Sequence, residues 1–169
     1  MKLETDRLIL RHPEVRDAED YVAFHNSEFV LRYNAMTPCT LENIKEKFSE
    51  KDPDTLLLEL KKSGKVIGTI CLEEDSIRWG IASKELSYFI DEAYSQKGYM
   101  KEALGAVIDY LFEKEKLECV SARCFAPNTA SLALLRSLGF HQDGYIPRCV
   151  KGYKEEIFDD TLHSLFRNK

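Results

Sequence analysis

Tyr94-Ser95-Gln96-Lys97-Gly98-Tyr99-Met100-Lys101-Glu102-Ala103-Leu104 is the stretch on which the fold turns. From Met100 onward the apolar residues are Met100, Ala103, Leu104, Val107, Ile108, Leu111 and Phe112, spaced alternately by three and one. That spacing is one stripe of an α-helix, and Lys101, Glu102, Asp109, Glu113 and Lys114 fill the opposite side. Upstream, Glu85–Asp91 (Glu-Leu-Ser-Tyr-Phe-Ile-Asp) reads as a strand. A strand-loop-helix junction aims unpaired backbone N–H groups and the positive end of the helix dipole at one point. Lys97 adds a charge there, and Gly98 lets an oxygen-rich group approach the main chain closely. The junction is therefore an anion site, best suited to a phosphate. Gly98 taken alone reads rather as a plain tight turn.

A second junction lies downstream. Leu117–Phe125 reads as a strand, and a helix runs from Asn128 to Leu138, where Gly139 stops it. The interval between Gly98 and Asn128 holds one helix, one strand and a short loop, which places both helix starts at the same end of adjacent parallel strands. Phe140–Val150 and Glu156–Phe166 form a closing hairpin. Toward the N-terminus, Leu3–Arg11 reads as one strand, Val15–Asn26 as a short amphipathic helix after Pro13, and Ser27–Asn34 as a second short helix. Thr40 caps a helix to about Lys51, and Thr55–Lys61 and Lys65–Leu72 pair across Lys62-Ser63-Gly64. The fold class expected is mixed α/β, with a βα crossover at the centre of the sheet and residues 1–169 forming one domain.

Composition narrows the function. The chain is 44% hydrophobic and 31% charged with only 8 Gly and 5 Pro, which excludes a disordered or collagen-like chain. A net charge of -5 argues against nonspecific binding to nucleic acid or a membrane surface, which needs a basic footprint. Cys39, Cys71, Cys119, Cys124 and Cys149 are scattered, and the odd interval from Cys119 to Cys124 turns those two to opposite faces of a strand. His12, His25, His141 and His163 lack ligand spacing, so no metal site is expected. Met1–Arg7 lacks the apolar core of a signal peptide, and with reduced cysteines a cytoplasmic location is expected. Neither a Walker loop, a dinucleotide fingerprint, H-E-x-x-H nor G-x-S-x-G occurs. Asp52-Pro53-Asp54 lacks the glycine of a calcium loop and reads as a solvated turn.

Gln96-Lys97-Gly98-Tyr99-Met100-Lys101-Glu102-Ala103, together with Asn128-x-x-Ser131 and Leu138-Gly139-Phe140, resembles the acetyl-CoA signature of the GNAT N-acetyltransferases. Glu4–Arg11, Gly68-Thr69-Ile70 and Glu85–Ile90 follow in the right order and are similar to the branch that acetylates the N-terminal alanine or serine of ribosomal proteins. The resemblance implies a mostly antiparallel sheet with a parallel crossover at the cofactor, and acetyl-CoA as cosubstrate. It also implies a primary amine as acceptor, free or at a protein N-terminus, and a monomer or homodimer. By the same resemblance the cofactor would contact Phe89 and Ile90, then Gln96, Lys97, Gly98, Tyr99, Met100 and Lys101, then Asn128 and Ser131. Three positions depart from the pattern. Ser95 stands where relatives have Gln or Arg, and Met100 where they have Gly or Ala. Leu135 stands where many relatives carry a tyrosine general acid, and leucine cannot donate a proton.

The implied reaction is direct attack of an amine on a thioester. Glu85 is the candidate base, directly or through one water, with a solvated edge residue as the alternative. Strand alternation puts Glu85, Ser87 and Phe89 on one face. Ser131 is the candidate donor to the departing thiolate, with a hydroxyl bonded to its own helix as the alternative. Asn128 either anchors the pantetheine arm, caps its helix, or does both. Tyr33 lines the acceptor cleft or belongs to the core, and His163 is expected on a strand surface. Two rival functions remain: a small-molecule (drug or polyamine) N-acetyltransferase, and a catalytically weak CoA-binding module.

Overall fold

The computed structural model describes residues 1–50 and 52–167. The strands are β1 (Leu3–Glu4), β2 (Leu8–Arg11), β3 (Thr55–Leu60), β4 (Val66–Glu74), β5 (Ser83–Ile90), β6 (Cys119–Phe125), β7 (His141–Lys151) and β8 (Ile157–Phe166). The α-helices are α1 (Ala18–His25), α2 (Glu28–Leu31), α3 (Leu41–Ser49), α4 (Tyr99–Glu113) and α5 (Thr129–Ser137). The strands form one sheet in the order β1-β2-β3-β4-β5-β6-β8-β7. Its neighbours are antiparallel except β5 and β6, which run parallel and are joined by α4. This is the mixed α/β architecture expected, with its crossover at the centre of the sheet.

A helix as short as α4 is marginal alone in water, so its apolar stripe holds it in place. Met100, Ala103, Leu104, Val107, Ile108 and Leu111 pack on Leu8, Ile70, Leu86 and Ala122 of the sheet, and Leu135 of α5 joins them. Each fully buried leucine contributes about 1.5–3 kcal/mol relative to exposure. The opposite face is thinner. There Ala18, Tyr21 and Phe24 of α1 and Ile44 and Phe48 of α3 cover Leu57 and pack against Phe89.

Several boundaries differ from expectation. Leu3–Arg11 is two strands paired with each other, because the turn at Thr5 folds back with Thr5 N–H donating to Leu8 O (3.0 Å) and Leu8 N–H to Thr5 Oγ1 (3.1 Å). The helix after Pro13 opens as a 3-10 turn over Val15–Asp17 before α1. Thr40 caps α3 through Asn43 N–H, and the helix ends at Ser49; Lys51 lies outside the described residues. Asp52 serves the start of β3, accepting from Asp54 N–H (2.9 Å) and the Thr55 hydroxyl (2.6 Å). The outer strand β7 carries two register shifts and Pro147, features that blunt a sheet edge.

The central feature is a parting of strands. β5 and β6 pair from Ser83 opposite Cys119 to Leu86 opposite Ala122, and no further. β5 stays on β4 as far as Ile90 opposite Gly68, and β6 stays on β8 as far as Phe125 opposite Asp160. The two strands diverge beyond Leu86 and Ala122 and open a wedge in the sheet. Asp91 N–H donates to Ile67 O (2.8 Å), so backbone alternation turns Phe89 and Ser87 toward β4. Tyr88 and Ile90 direct their N–H and C=O groups into the wedge. On its other side β5 presses against Gly68 of β4, where a Cβ would lie 2.8 Å from Phe89 O and 3.2 Å from Ile90 Cα.

Candidate active site

The loop at the open end of β5 is shaped for an anion. Gln96 (φ 54°) and Gly98 (φ 81°) are both left-handed, and the amide N–H groups from Gln96 to Lys101 have no partner among the described residues. Successive N–H groups in such a loop form a concave donor set at a helix N-terminus. Met100 turns its side chain into the core, so its bulk does not obstruct the loop. The Ser95 hydroxyl donates to Glu92 O (2.9 Å) and closes the preceding turn. Lys97 Nζ folds back to Ala93 O (2.7 Å), leaving its charge at the rim.

Arg7 belongs to this site although nothing local in the sequence marks it. Its guanidinium donates to Lys97 O (3.0 Å) and to Glu102 Oε2 (2.6 Å), and lies 4.1 Å from the centre of the Tyr99 ring. Glu102 also accepts from the Thr5 hydroxyl (2.6 Å) and Arg7 N–H (2.9 Å). Partial burial alone would raise the Glu102 pKa, but these hydrogen bonds and the Arg7 charge outweigh it and lower the net value. The β1–β2 turn is thereby fastened to the first turn of α4.

At the second junction Asn128 caps α5, its Oδ1 accepting from Ser131 N–H (3.2 Å). The Ser131 hydroxyl pairs with the hydroxyl of Tyr88 at 2.8 Å rather than with its own helix. Tyr88 comes from β5, two residues past Leu86, the last residue of that strand paired with β6. Leu135 is 0% exposed in the core, so the helix offers no acid there.

Glu85 is half-buried and pairs with Glu73 on β4 and Ser121 on β6. Burial raises its pKa, the nearby Arg123 charge opposes this, and Glu73, Asp75 and Asp160 push further upward. Arg123 is held by Asp160 at 2.7 Å and also donates to Cys149 Sγ (3.2 Å). Ser87 donates to Glu73 (2.7 Å). Glu85, Ser87 and Phe89 share the face covered by α1, and Phe89 places its ring 5.7 Å from His25 and 5.9 Å from Phe24. Tyr88 and Ser131 lie on the α4–α5 face. The two candidate catalytic residues therefore sit on opposite faces of the sheet, and the wedge joins them.

Tyr33 stands edge-on to Phe125 (6.5 Å) and Phe158 (6.0 Å), in an aromatic group at the open end of β6. His163 corrects the expectation of a strand-surface residue. It is 4% exposed, its Nε2 is 2.9 Å from the Thr161 hydroxyl, and burial lowers its pKa. Its register opposite Ala122 sends it to the covered α4–α5 face. Among the described residues no group of His, Cys, Asp and Glu is arranged to hold a metal ion, and no helix is long and apolar enough to cross a membrane. A cavity of about 410 Å³ beside Arg11 and Glu59 lies across the sheet from this chemistry; Asp17 (2.7 Å) and Glu59 (2.5 Å) hold Arg11 there as a structural ion pair.

Comparison with known proteins agrees with this geometry. Residues 7–141 match the family described as Acetyltransferase (GNAT) domain. The uncharacterized N-acetyltransferase p20 of Bacillus licheniformis is 28% identical, over 99% of this chain and 97% of its own. Among solved structures, the ribosomal-protein-S5-alanine acetyltransferase of Vibrio fischeri superposes with a TM-score of 0.86 at 20% identity, covering 100% of this chain and 98% of that one. Mycobacterium smegmatis RimJ in complex with CoA-disulfide gives 0.79 at 18% identity, covering 94% and 81%. The two structures, at that identity, establish the fold; the family match establishes the rest. The chain belongs to the GNAT family and is an acetyl-CoA-dependent N-acetyltransferase.

Proposed function

We propose that the chain acetylates the α-amine of a protein N-terminus. The wedge between β5 and β6 carries this reading, because it is the passage from the Glu85 face to the Ser131 face. The residues present fit acetyl-CoA. The N–H groups of Gln96–Lys101 suit its diphosphate, with Lys97 and Arg7 close by, and the wedge-facing groups of Tyr88 and Ile90 suit its pantetheine arm. Phe89 contributes as the wall on the acceptor side, since its own backbone faces β4. Bound there, the cosubstrate supplies an activated acetyl thioester.

Glu85 takes the proton of the incoming ammonium, directly or through one water, which frees the nitrogen lone pair. Its raised pKa suits a base working near neutral pH. Ser131 donates a hydrogen bond to the sulfur as the carbon–sulfur bond breaks, and Asn128 holds the first turn of α5 in place for it. The ribosomal-protein-S5-alanine acetyltransferase among the structural neighbours supports a protein acceptor. The carboxylates of half-buried Glu85 and exposed Glu73 on the acceptor face attract a cationic amine in any case. Acetyl transfer measured on peptides with N-terminal Ala or Ser, against free polyamines and amine drugs, tests the assignment. Faster turnover of the peptides is expected. Preference for a free polyamine or drug would move the acceptor to small molecules, and failure to turn over any amine while CoA binds would leave a binding module.

A further inference from the structure

The core position of Leu135 leaves α5 without a proton-bearing phenol, yet a phenol reaches the same helix from the neighbouring strand. The Tyr88 ring crosses from β5 at the edge of the wedge, and its hydroxyl lies 2.8 Å from Ser131 Oγ. The Cys124 thiol also lies within reach of Ser131, and the contact with Tyr88 fixes how the two hydroxyls turn toward each other. A phenol is the stronger acid of the two, so Tyr88 O–H donates and Ser131 Oγ accepts. That leaves the Ser131 proton free to point elsewhere, and a hydroxyl that accepts one hydrogen bond donates the next more strongly.

We infer that Tyr88 is the positioning residue for Ser131, holding its hydroxyl as a donor toward the sulfur of CoA. Burial raises the Tyr88 pKa, so the phenol keeps its proton at neutral pH and remains a donor. No proton leaves Tyr88 in the reaction; it orients and polarises the serine. The inference rests on the role of Ser131 proposed above, and the test separates the two.

The readout is the thiol pKa of CoA bound to the full chain, followed by the ultraviolet absorbance of the thiolate, which requires no acceptor. In the parent protein a donor at the sulfur lowers that pKa below the value for free CoA. Tyr88→Phe is expected to raise it by about half to one unit, the size of one hydrogen bond. Ser131→Ala raises it at least as far, and the double variant goes no further than Ser131→Ala. With any accepted amine, Tyr88→Phe lowers kcat about tenfold and leaves KM for acetyl-CoA near the parent value. Replacing Tyr88 by 3-fluorotyrosine, a stronger donor of nearly the same shape, is expected to lower the thiol pKa, and it decides the matter if Tyr88→Phe fails to fold. A shift in Ser131→Ala with none in Tyr88→Phe overturns the role of Tyr88 alone. Additive shifts in the double variant overturn it as well, since Tyr88 would then act apart from Ser131. An unchanged thiol pKa in Ser131→Ala overturns both roles.

Discussion

Gly98 offers a test in which charge is separated from shape. It sits at φ 81° and ψ 0°, a left-handed conformation that Asn and Asp tolerate better than other residues with a side chain. Gly98→Asn and Gly98→Asp place nearly the same volume there, and a Cβ would meet the flexible end of Arg7 at 3.4 Å. Each variant costs about 1 kcal/mol of backbone strain, or a fall in Tm of roughly 2–4 °C for a chain of this length. Only Asp brings a negative charge to the donor set. Two unit charges about 4 Å apart interact by roughly 1 kcal/mol in water and 4 kcal/mol at an effective permittivity of 20. The loop is exposed and Arg7 lies beside it, so the lower end applies, about 1–2 kcal/mol. Isothermal titration at low salt should then show Gly98→Asp binding CoA about 5–30-fold more weakly than Gly98→Asn. The gap should narrow at 1 M salt, where screening acts within about 3 Å. Pantetheine, which lacks the phosphates, should not distinguish the two variants. If Asp and Asn bind CoA within twofold at low salt, or pantetheine suffers equally, the diphosphate does not sit on this loop.

Glu85→Gln should lower kcat by about 10²–10⁴-fold at neutral pH with CoA affinity unchanged, and the deficit should shrink at high pH as the free amine becomes abundant; a profile within about threefold of the parent throughout removes Glu85 as base. The same variant carries a stability prediction of opposite sign. The folded-state pKa of Glu85 is raised, so its charged form weakens the fold once pH exceeds that pKa, and Glu85→Gln should melt higher than the parent at pH 8 but not at pH 4. Gly68→Ala forces a Cβ to within 2.8 Å of Phe89 O, which must move, at a cost of about 1–3 kcal/mol. Calorimetry should show a lower Tm and weaker CoA binding, because the wedge edge at Ile90 shifts; an unchanged or higher Tm contradicts the close approach.

What was legible in the sequence is what is written in short-range patterns. The stripe from Met100 to Leu111, the turn at Gly98 before it and the Asn128 cap each depend on neighbours a few residues away, and all three appear where the sequence places them. Contacts across long sequence distance were hidden. The break between β1 and β2 is sealed by Glu102, and Arg7 reaches Lys97 O, each across at least 90 residues of chain. His163 was misread because strand alternation assigns a side without saying which side is covered, and α5 covers this one. The same ambiguity hid the relation between Glu85 and Ser131. Period-two alternation separates Glu85 from Tyr88, and Tyr88 meets Ser131, but none of this shows that the strands part just beyond Leu86. That parting gives the alternation its chemical meaning. One strand carries Glu85 to one face and Tyr88 to the other, three residues apart, so in the proposed mechanism a proton is taken on one face while the sulfur is stabilised on the other. A sheet paired to its ends would keep the same side chains and separate them by a wall.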